Sequence, residues 1–287
     1  MSCLNSNYLS RNILAAKLRR NTLLSKLATL NGKKNYPTLF LSAERNSTSF
    51  VKGVIPHRDQ PYNSSLSHYL LGQERPTEKG LVLAFALHDH DKHEERLYRL
   101  EQKDHQIIWD GKNIPSKELS EITGIEKIEN RGSLKQFIEE FRNSHRGARI
   151  YSDKESIENL KIDIKDVSSL CDATKIVEMQ QLIKDDMELS NIKISVNIAA
   201  ESLKEVIKNG KKAKNEKELE TLFNHQCSLK NSPNLSFPPV VASGKNSVAI
   251  HYLKNSDPLL PDSTVMMDVG CTFFGYCSDI TRTWPLS

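Results

Sequence analysis

The 287-residue sequence predicts an α/β domain followed by an α+β layer. Three observations carry that expectation. Strand-like and helix-like segments alternate between residues 37 and 165, which points to a mixed α/β domain. From Asp172 to Asn209 there is neither proline nor glycine, and apolar residues recur at helical spacing. The stretch from Ser236 to Pro285 then holds successive short strands, so helices are followed by an antiparallel sheet and not by a second βαβ unit. The expected organisation is a basic start over 1–36, an N-terminal domain over 37–165 and a second domain over 172–287.

Composition narrows the function classes. The net charge of +4 is unevenly placed, with seven bases and no acid before Glu44. Removing those seven from the 40 Lys and Arg leaves 33 bases against 36 acids, so a uniform nucleic-acid-binding surface is not expected. No apolar run approaches the roughly 18–20 residues of a membrane helix. The basic, acid-free amphipathic start has the composition of a mitochondrial transit peptide. It reads equally as the first helix of the folded domain, with the cytoplasm as the alternative location. The cysteines Cys3, Cys171, Cys227, Cys271 and Cys277 form no zinc-ligand spacing, and reduced thiols are expected.

Taken in order, Leu14, Leu18, Leu23, Leu24, Leu27 and Leu30 form a rough helical stripe that Asn31-Gly32 ends. Pro37 to Ala43 reads as a buried strand, Ile55 to Pro76 as loop, and Leu81 to Leu87 as the clearest strand of this half. Leu97 to Leu100 and Ile107 to Trp109 are expected as short strands. Helices are expected at Ser116 to Ile122 and Ser133 to Arg142, where Phe137, Ile138 and Phe141 share a face. A strand at Ala148 to Tyr151 and a helix near Lys154 to Leu160 follow. The His88 to Glu95 cluster is rich in metal-ligating types, but it crowds one linear loop without the i, i+4 spacing that aims two histidines; a solvated connection is expected there.

In the second half, Ile176, Met179, Ile183 and Met187, then Val196, Ala200, Leu203 and Ile207, predict one long helix or two abutting ones. Gly210 should stop the run in a left-handed conformation. Asn215 should cap a third helix, with Glu218 three residues on in the manner of a capping box, and Leu219, Leu222 and Phe223 as its apolar face. Strands are expected at Pro239 to Ala242, Ser247 to Leu253, Val265 to Cys271 and Tyr276 to Trp284.

The chemistry concentrates in the last two strands, which carry Asp268 and Asp279. A turn centred between Phe273 and Phe274 makes them direct cross-strand partners. Like charges so placed are destabilising, and a cation between them removes that cost. Carboxylates suit hard divalent ions, and Thr281, two residues beyond Asp279, shares its face and can orient a ligand. Spacing alone is a weak signal, since solvated strand ends explain it as well.

The wording of the segment is more specific. PPVVASGKNSVAIHYLKN, DVG and SDITRTWP resemble the first half of the catalytic domain of Xaa-Pro aminopeptidases (aminopeptidase P). These are dinuclear metallopeptidases of the pita-bread fold, and the segments resemble those of the mitochondrial Xaa-Pro aminopeptidase 3 type. A looser likeness runs through Gln60 to Gly72, Leu81-Val82-Leu83 and Trp109-Asp110-Gly111. The resemblance implies an aminopeptidase P N-terminal domain joined to part of a pita-bread domain. It implies Asp268 and Asp279 as the first two metal ligands and His251 as the catalytic histidine that contacts substrate. Two divalent ions, manganese by family habit, are implied as cofactors. The implied substrate is a peptide with proline in second position, with homo-oligomerisation through the N-terminal domain.

The family completes its site with a further histidine, two glutamates and another catalytic histidine, and no position here matches them. The sequence is therefore expected to be truncated within the catalytic domain, and as given inactive. The alternatives are a non-catalytic association partner or fragment of the full-length enzyme, or a relative with the same plan such as prolidase or creatinase.

Overall fold

The computed structural model describes residues 6–30, 37–43, 66–74, 78, 80–88, 92–160 and 170–286. The Asn31-Gly32 stop, most of the Ile55 to Pro76 loop and the middle of the His88 to Glu95 cluster lie outside the described residues. The chain divides into two compact units, Met1–Lys184 and Asp185–Ser287.

The N-terminal unit is a six-stranded mixed sheet in the order β4-β3-β2-β1-β5-β6. Its strands are β1 (Thr38–Ala43), β2 (Val82–Leu87), β3 (His93–Arg99), β4 (Lys127–Asn130), β5 (Arg149–Ser152) and β6 (Leu170–Asp172). The two central strands are buried at every position, which is why they read as continuous apolar runs. Strand alternation sends Phe40, Leu83 and Phe85 into one core with Leu23, Leu24 and Leu27 of helix α1 (Ser6–Thr29). It sends Leu39, Leu41, Val82 and Ala84 into a second core with Phe137, Ile138 and Phe141 of a later helix.

Helix α1 is thus part of this unit, although Leu14, Leu18 and Leu30 of its expected stripe are exposed. Its Arg20 is fully buried, gripping both oxygens of Glu95 at 2.7 and 2.8 Å and the Leu70 carbonyl. A guanidinium can be buried this way because its planar fork matches a carboxylate.

Helices α2 (Asp104–Asp110), α3 (Ser116–Thr123), α4 (Leu134–Ser144), α5 (Lys154–Leu160) and α6 (Thr174–Leu182) complete the unit. Helix α2 corrects the expected strand at Ile107 to Trp109. The Gln106 side chain accepts from the Lys103 N–H at 2.9 Å, Gly111 ends the turn at φ 80°, and Ile108 and Trp109 are exposed. Strands β4 and β6 are short, three to four residues each, and their sequences carry little alternation. One end of the histidine-rich cluster is strand and not loop, since β3 begins at His93. His88 donates or accepts at both ring nitrogens, with Glu94 at 2.9 Å and His145 at 3.2 Å.

The C-terminal unit begins with α7 (Asp186–Asn209) and α8 (Glu216–Leu229). Of the two expected arrangements, one long helix or two abutting ones, the second is found, because a capping box at Asp185 restarts the helix. The Asp185 carboxylate accepts from Met187 and Glu188 N–H, and Glu188 accepts from the Asp185 N–H. Met179 and Ile183, expected on the buried stripe, are exposed. Gly210 does end α7, but at φ −73° and not left-handed. A Cβ there would meet Leu219 at 2.6 Å, so close packing explains the glycine. Asn215 caps α8 as expected, accepting from Glu218 N–H at 3.0 Å.

Three strands form the sheet, in the order β11-β8-β7: β7 (Val240–Ser243), β8 (Thr264–Val269) and β11 (Ile280–Pro285). A short hairpin of β9 (Thr272–Phe273) and β10 (Tyr276–Cys277) joins β8 to β11. Ser247 to Leu253, expected as a strand, is a 3-10 turn over Gly244–Val248 followed by irregular chain. Val248 and Ile250 are 87% and 79% exposed, so nothing there packs as a sheet would require. No helix among the described residues is long and apolar enough to cross a membrane.

Candidate metal centre

The two carboxylates are set by the hairpin, and its register differs from the expected one. Phe274 and Gly275 both have positive φ, 48° and 78°, which is the two-residue turn whose twist matches paired strands. The turn therefore centres between Phe274 and Gly275, one residue later than expected, because glycine fills the second left-handed position without strain. Tyr276 pairs with Phe273, and further along Thr281, not Asp279, lies directly opposite Asp268.

The slip does not separate the carboxylates. On β8, Val265, Met267 and Val269 are buried, while Asp268 points to the other face. Thr281 is its direct neighbour on that face and Asp279 its diagonal one. The Thr281 hydroxyl donates to Asp268 Oδ1 at 2.7 Å. Asp279 is held above the usual aspartate range, first by desolvation and then by the charge and hydrogen bonding of Asp268. Two like charges so close are an arrangement that a divalent cation between them relieves.

Packing behind the hairpin fixes this face. A Cβ on Gly270 would stand 1.9 Å from the Ser278 carbonyl oxygen, so only glycine lets the strands approach here. The next peptide is clamped, with Ser195 of α7 and Ser236 each donating to the Cys271 carbonyl at 2.7 Å. Cys271 is buried and Cys277 exposed, as opposite faces require, and no disulfide joins the described cysteines.

His251 is placed differently. It lies in the exposed segment after β7, and the hydrogen bonds that organise the carboxylates do not include it. Sequence reasoning missed what holds that segment. Glu216, the first residue of α8, is fully buried. Its Oε1 accepts from Ser243 N–H at 2.8 Å, Ser243 Oγ at 2.9 Å and Asn246 at 3.1 Å, and its Oε2 from the Tyr252 hydroxyl at 2.8 Å and Asp257 N–H at 2.9 Å. Burial pushes the Glu216 carboxyl up, but these donors win and hold it below the usual range. The Tyr252 hydroxyl is pushed up to about 12, by desolvation and then by Glu216. A glutamate beside a helix cap gave the only sequence signal of this cluster, and it is a common one.

Among the described residues, no group of three or more His, Cys, Asp or Glu could hold a metal ion. Asp268 and Asp279 offer hard oxygen donors that fit a hard divalent ion, as a partial donor set.

Residues 16–151 match the family described as Aminopeptidase P, N-terminal domain, and residues 190–287 match Metallopeptidase family M24. A probable Xaa-Pro aminopeptidase of Pyrenophora tritici-repentis is 32% identical over 190 residues, covering 64% of this chain and 28% of that protein. Xaa-Pro aminopeptidase 3 of Mus musculus is 24% identical over 286 residues, covering 94% of this chain and 55% of that protein. The fold resembles aminopeptidase P from E. coli, with a TM-score of 0.73 at 20% identity, over 96% of this chain and 62% of that one. The chain thus spans 28% and 55% of these two curated relatives.

Proposed function

The chain belongs to the Xaa-Pro aminopeptidase (aminopeptidase P) family of pita-bread metallopeptidases, and from that premise we propose that it carries part of the machinery that releases an N-terminal residue preceding proline. Asp268 and Asp279 are two of the ligands of a site for two divalent ions, manganese being the proposed metal. The observation that carries this reading is the Asp268, Thr281 and Asp279 cluster on the solvent face of the sheet, where one hydroxyl fixes one carboxylate and the neighbouring carboxylate is raised by desolvation and then by its charge.

When bound, such ions supply Lewis acidity and an activated water. The chain's own residues do the rest of what is proposed. Asp268, held by Thr281, presents its second oxygen without rotating. A carboxylate must be ionised to bind a cation, and Asp279 is raised beside Asp268, so metal affinity falls as pH falls. His251, exposed on its segment, contacts the substrate and supports its reacting carbonyl. The N-terminal unit is proposed to carry association between copies, and a mitochondrial location is proposed on the family resemblance, since the basic start packs as a helix of that unit.

Two carboxylates fix too little geometry for catalysis, so the 287-residue polypeptide by itself is proposed to bind metal weakly and to be inactive. Titration with manganese by calorimetry is expected to give weak binding that Asp268→Asn and Asp279→Asn each abolish. Binding unchanged in both variants refutes the ligand assignment. Release of an N-terminal residue from an Xaa-Pro peptide by the purified chain with manganese refutes the proposed inactivity.

A further inference from the structure

The segment that bears His251 is an arch with both feet on one carboxylate. Asn246, in the middle of the 3-10 turn, donates to Glu216 at 3.1 Å, and Tyr252, where the arch returns, donates to the same side chain at 2.8 Å. The two feet also touch each other, Asn246 donating to the Tyr252 hydroxyl at 3.1 Å. Between them Val248 and Ile250 stand in solvent, so side-chain packing of the crown does not hold its shape. Beyond the feet, Glu216 also takes the Ser243 and Asp257 N–H groups. Asn255, at φ 45°, ties the return limb to β7 by accepting from Val241 N–H at 3.0 Å and donating to the Pro239 carbonyl at 2.7 Å.

We propose that Glu216 is the positioning residue for His251: the buried carboxylate at the start of α8 sets the shape of the arch and so the direction in which the imidazole is presented. The catalytic sense of this rests on the reading of His251 as a substrate-contacting group. The physical reasoning is one of satisfaction. A buried carboxylate must find donors for nearly all of its lone pairs, and five donors converge here from residues 27 to 41 positions away. Each donor that moved away would leave a buried charge under-satisfied, so the arch has one low-energy shape. The N-terminus of α8 favours a negative charge at this position. An exposed histidine on an apolar crown would otherwise sample many directions, and the ordering cost of substrate binding would rise with them.

The 287-residue chain itself serves for the test, with manganese-free buffer. Glu216→Gln keeps the shape and removes the charge, placing an N–H2 where two donors already point. Tyr252→Phe removes one foot alone and leaves four donors on Glu216, so it retains a readout should the first variant fold poorly. The reporters are amide exchange at Ala249, whose N–H bonds to the Asn246 carbonyl and does not touch Glu216, and the imidazole resonances of His251. His225, exposed on α8, is the internal reference. Exchange at Ala249 is expected to quicken roughly 10- to 100-fold in Glu216→Gln and roughly tenfold in Tyr252→Phe. The His251 resonances are expected to move while those of His225 stay. Unchanged Ala249 and His251 signals overturn the proposal, and so does a parallel shift of both histidines, which marks general loosening. Neither readout needs turnover, so failure of the peptidase reading shows separately, in the metal titration.

Discussion

Replacing Gly270 by alanine tests the idea that close backbone approach, and not sequence spacing, brings the two carboxylates together. The added Cβ would lie 1.9 Å from the Ser278 carbonyl oxygen and 2.8 Å from its carbon, both backbone atoms of the facing segment between β10 and β11. No flexible side chain can swing away, so the strands must part by about 1 Å or more to restore an ordinary contact. Overpacking of this kind costs about 1–3 kcal/mol. The separation also strains the bonds of Ser278 N–H to the Cys271 carbonyl and of Ser236 N–H to the Gly270 carbonyl, 3.0 and 3.1 Å, at about 1 kcal/mol each. The expected loss is about 3–5 kcal/mol. Urea unfolding followed by Trp284 fluorescence, in a Trp109→Phe background, should show the midpoint falling by about 2 M for a unit of this size. Gly244→Ala is the contrast: φ there is +51° but a Cβ meets nothing closer than Ser263 at 4.0 Å, so the cost should stay near about 1 kcal/mol. A Gly270→Ala midpoint no lower than that of Gly244→Ala refutes the reasoning.

Two further outcomes concern the N-terminal unit. Arg20→Met should destabilise it by about 3–5 kcal/mol, because removing one partner leaves the Glu95 carboxylate uncompensated; thermal melts by circular dichroism would read it, and a loss under about 1 kcal/mol would count against the buried pair. Glu94 is brought down to about 2 although desolvation opposes it, by Lys127, Arg96 and His88. A depressed carboxylate contributes stability above its ordinary value of 4.5 and loses it as pH falls toward about 2. Glu94→Gln should therefore cost on the order of 1 kcal/mol at pH 7 after allowance for screening, with the gap to the parent closing between those two values. A gap that is constant with pH would show that Glu94 acts by packing alone.

Much of the fold was legible where burial is two-sided or helical spacing is strict. The runs at β1 and β2 announced themselves because every position is buried, and Leu219 and Phe223 marked the inner face of α8. Legibility failed where one residue decides between alternatives. Phe273-Phe274-Gly275 admits two turn centres, and only the demand for two left-handed residues chooses between them. The Ile107-Ile108-Trp109 run looks like a strand because apolarity, not pattern, was its only signal. At the candidate site, Asp268, Asp279 and Thr281 could be found because they lie close in sequence on one hairpin. Glu216 could not, since its partners Ser243, Asn246, Tyr252 and Asp257 come from a distant loop and none of them has a distinctive spacing.

The left-handed Phe274-Gly275 turn has a consequence for the order of assembly. Asp268 and Thr281 are 13 positions apart, whereas the serine clamp that seats the hairpin on α7 spans 76. Closing the short loop costs less chain entropy than closing the long one, and two-stranded hairpins form in about 1–10 μs. The carboxylate pair therefore meets early during folding, ahead of the helix contacts that later bury its reverse side. If the proposed ligand assignment holds, a cation present at that moment would meet both carboxylates on a nascent hairpin, and metal would then act on the folding pathway as well as on the finished protein.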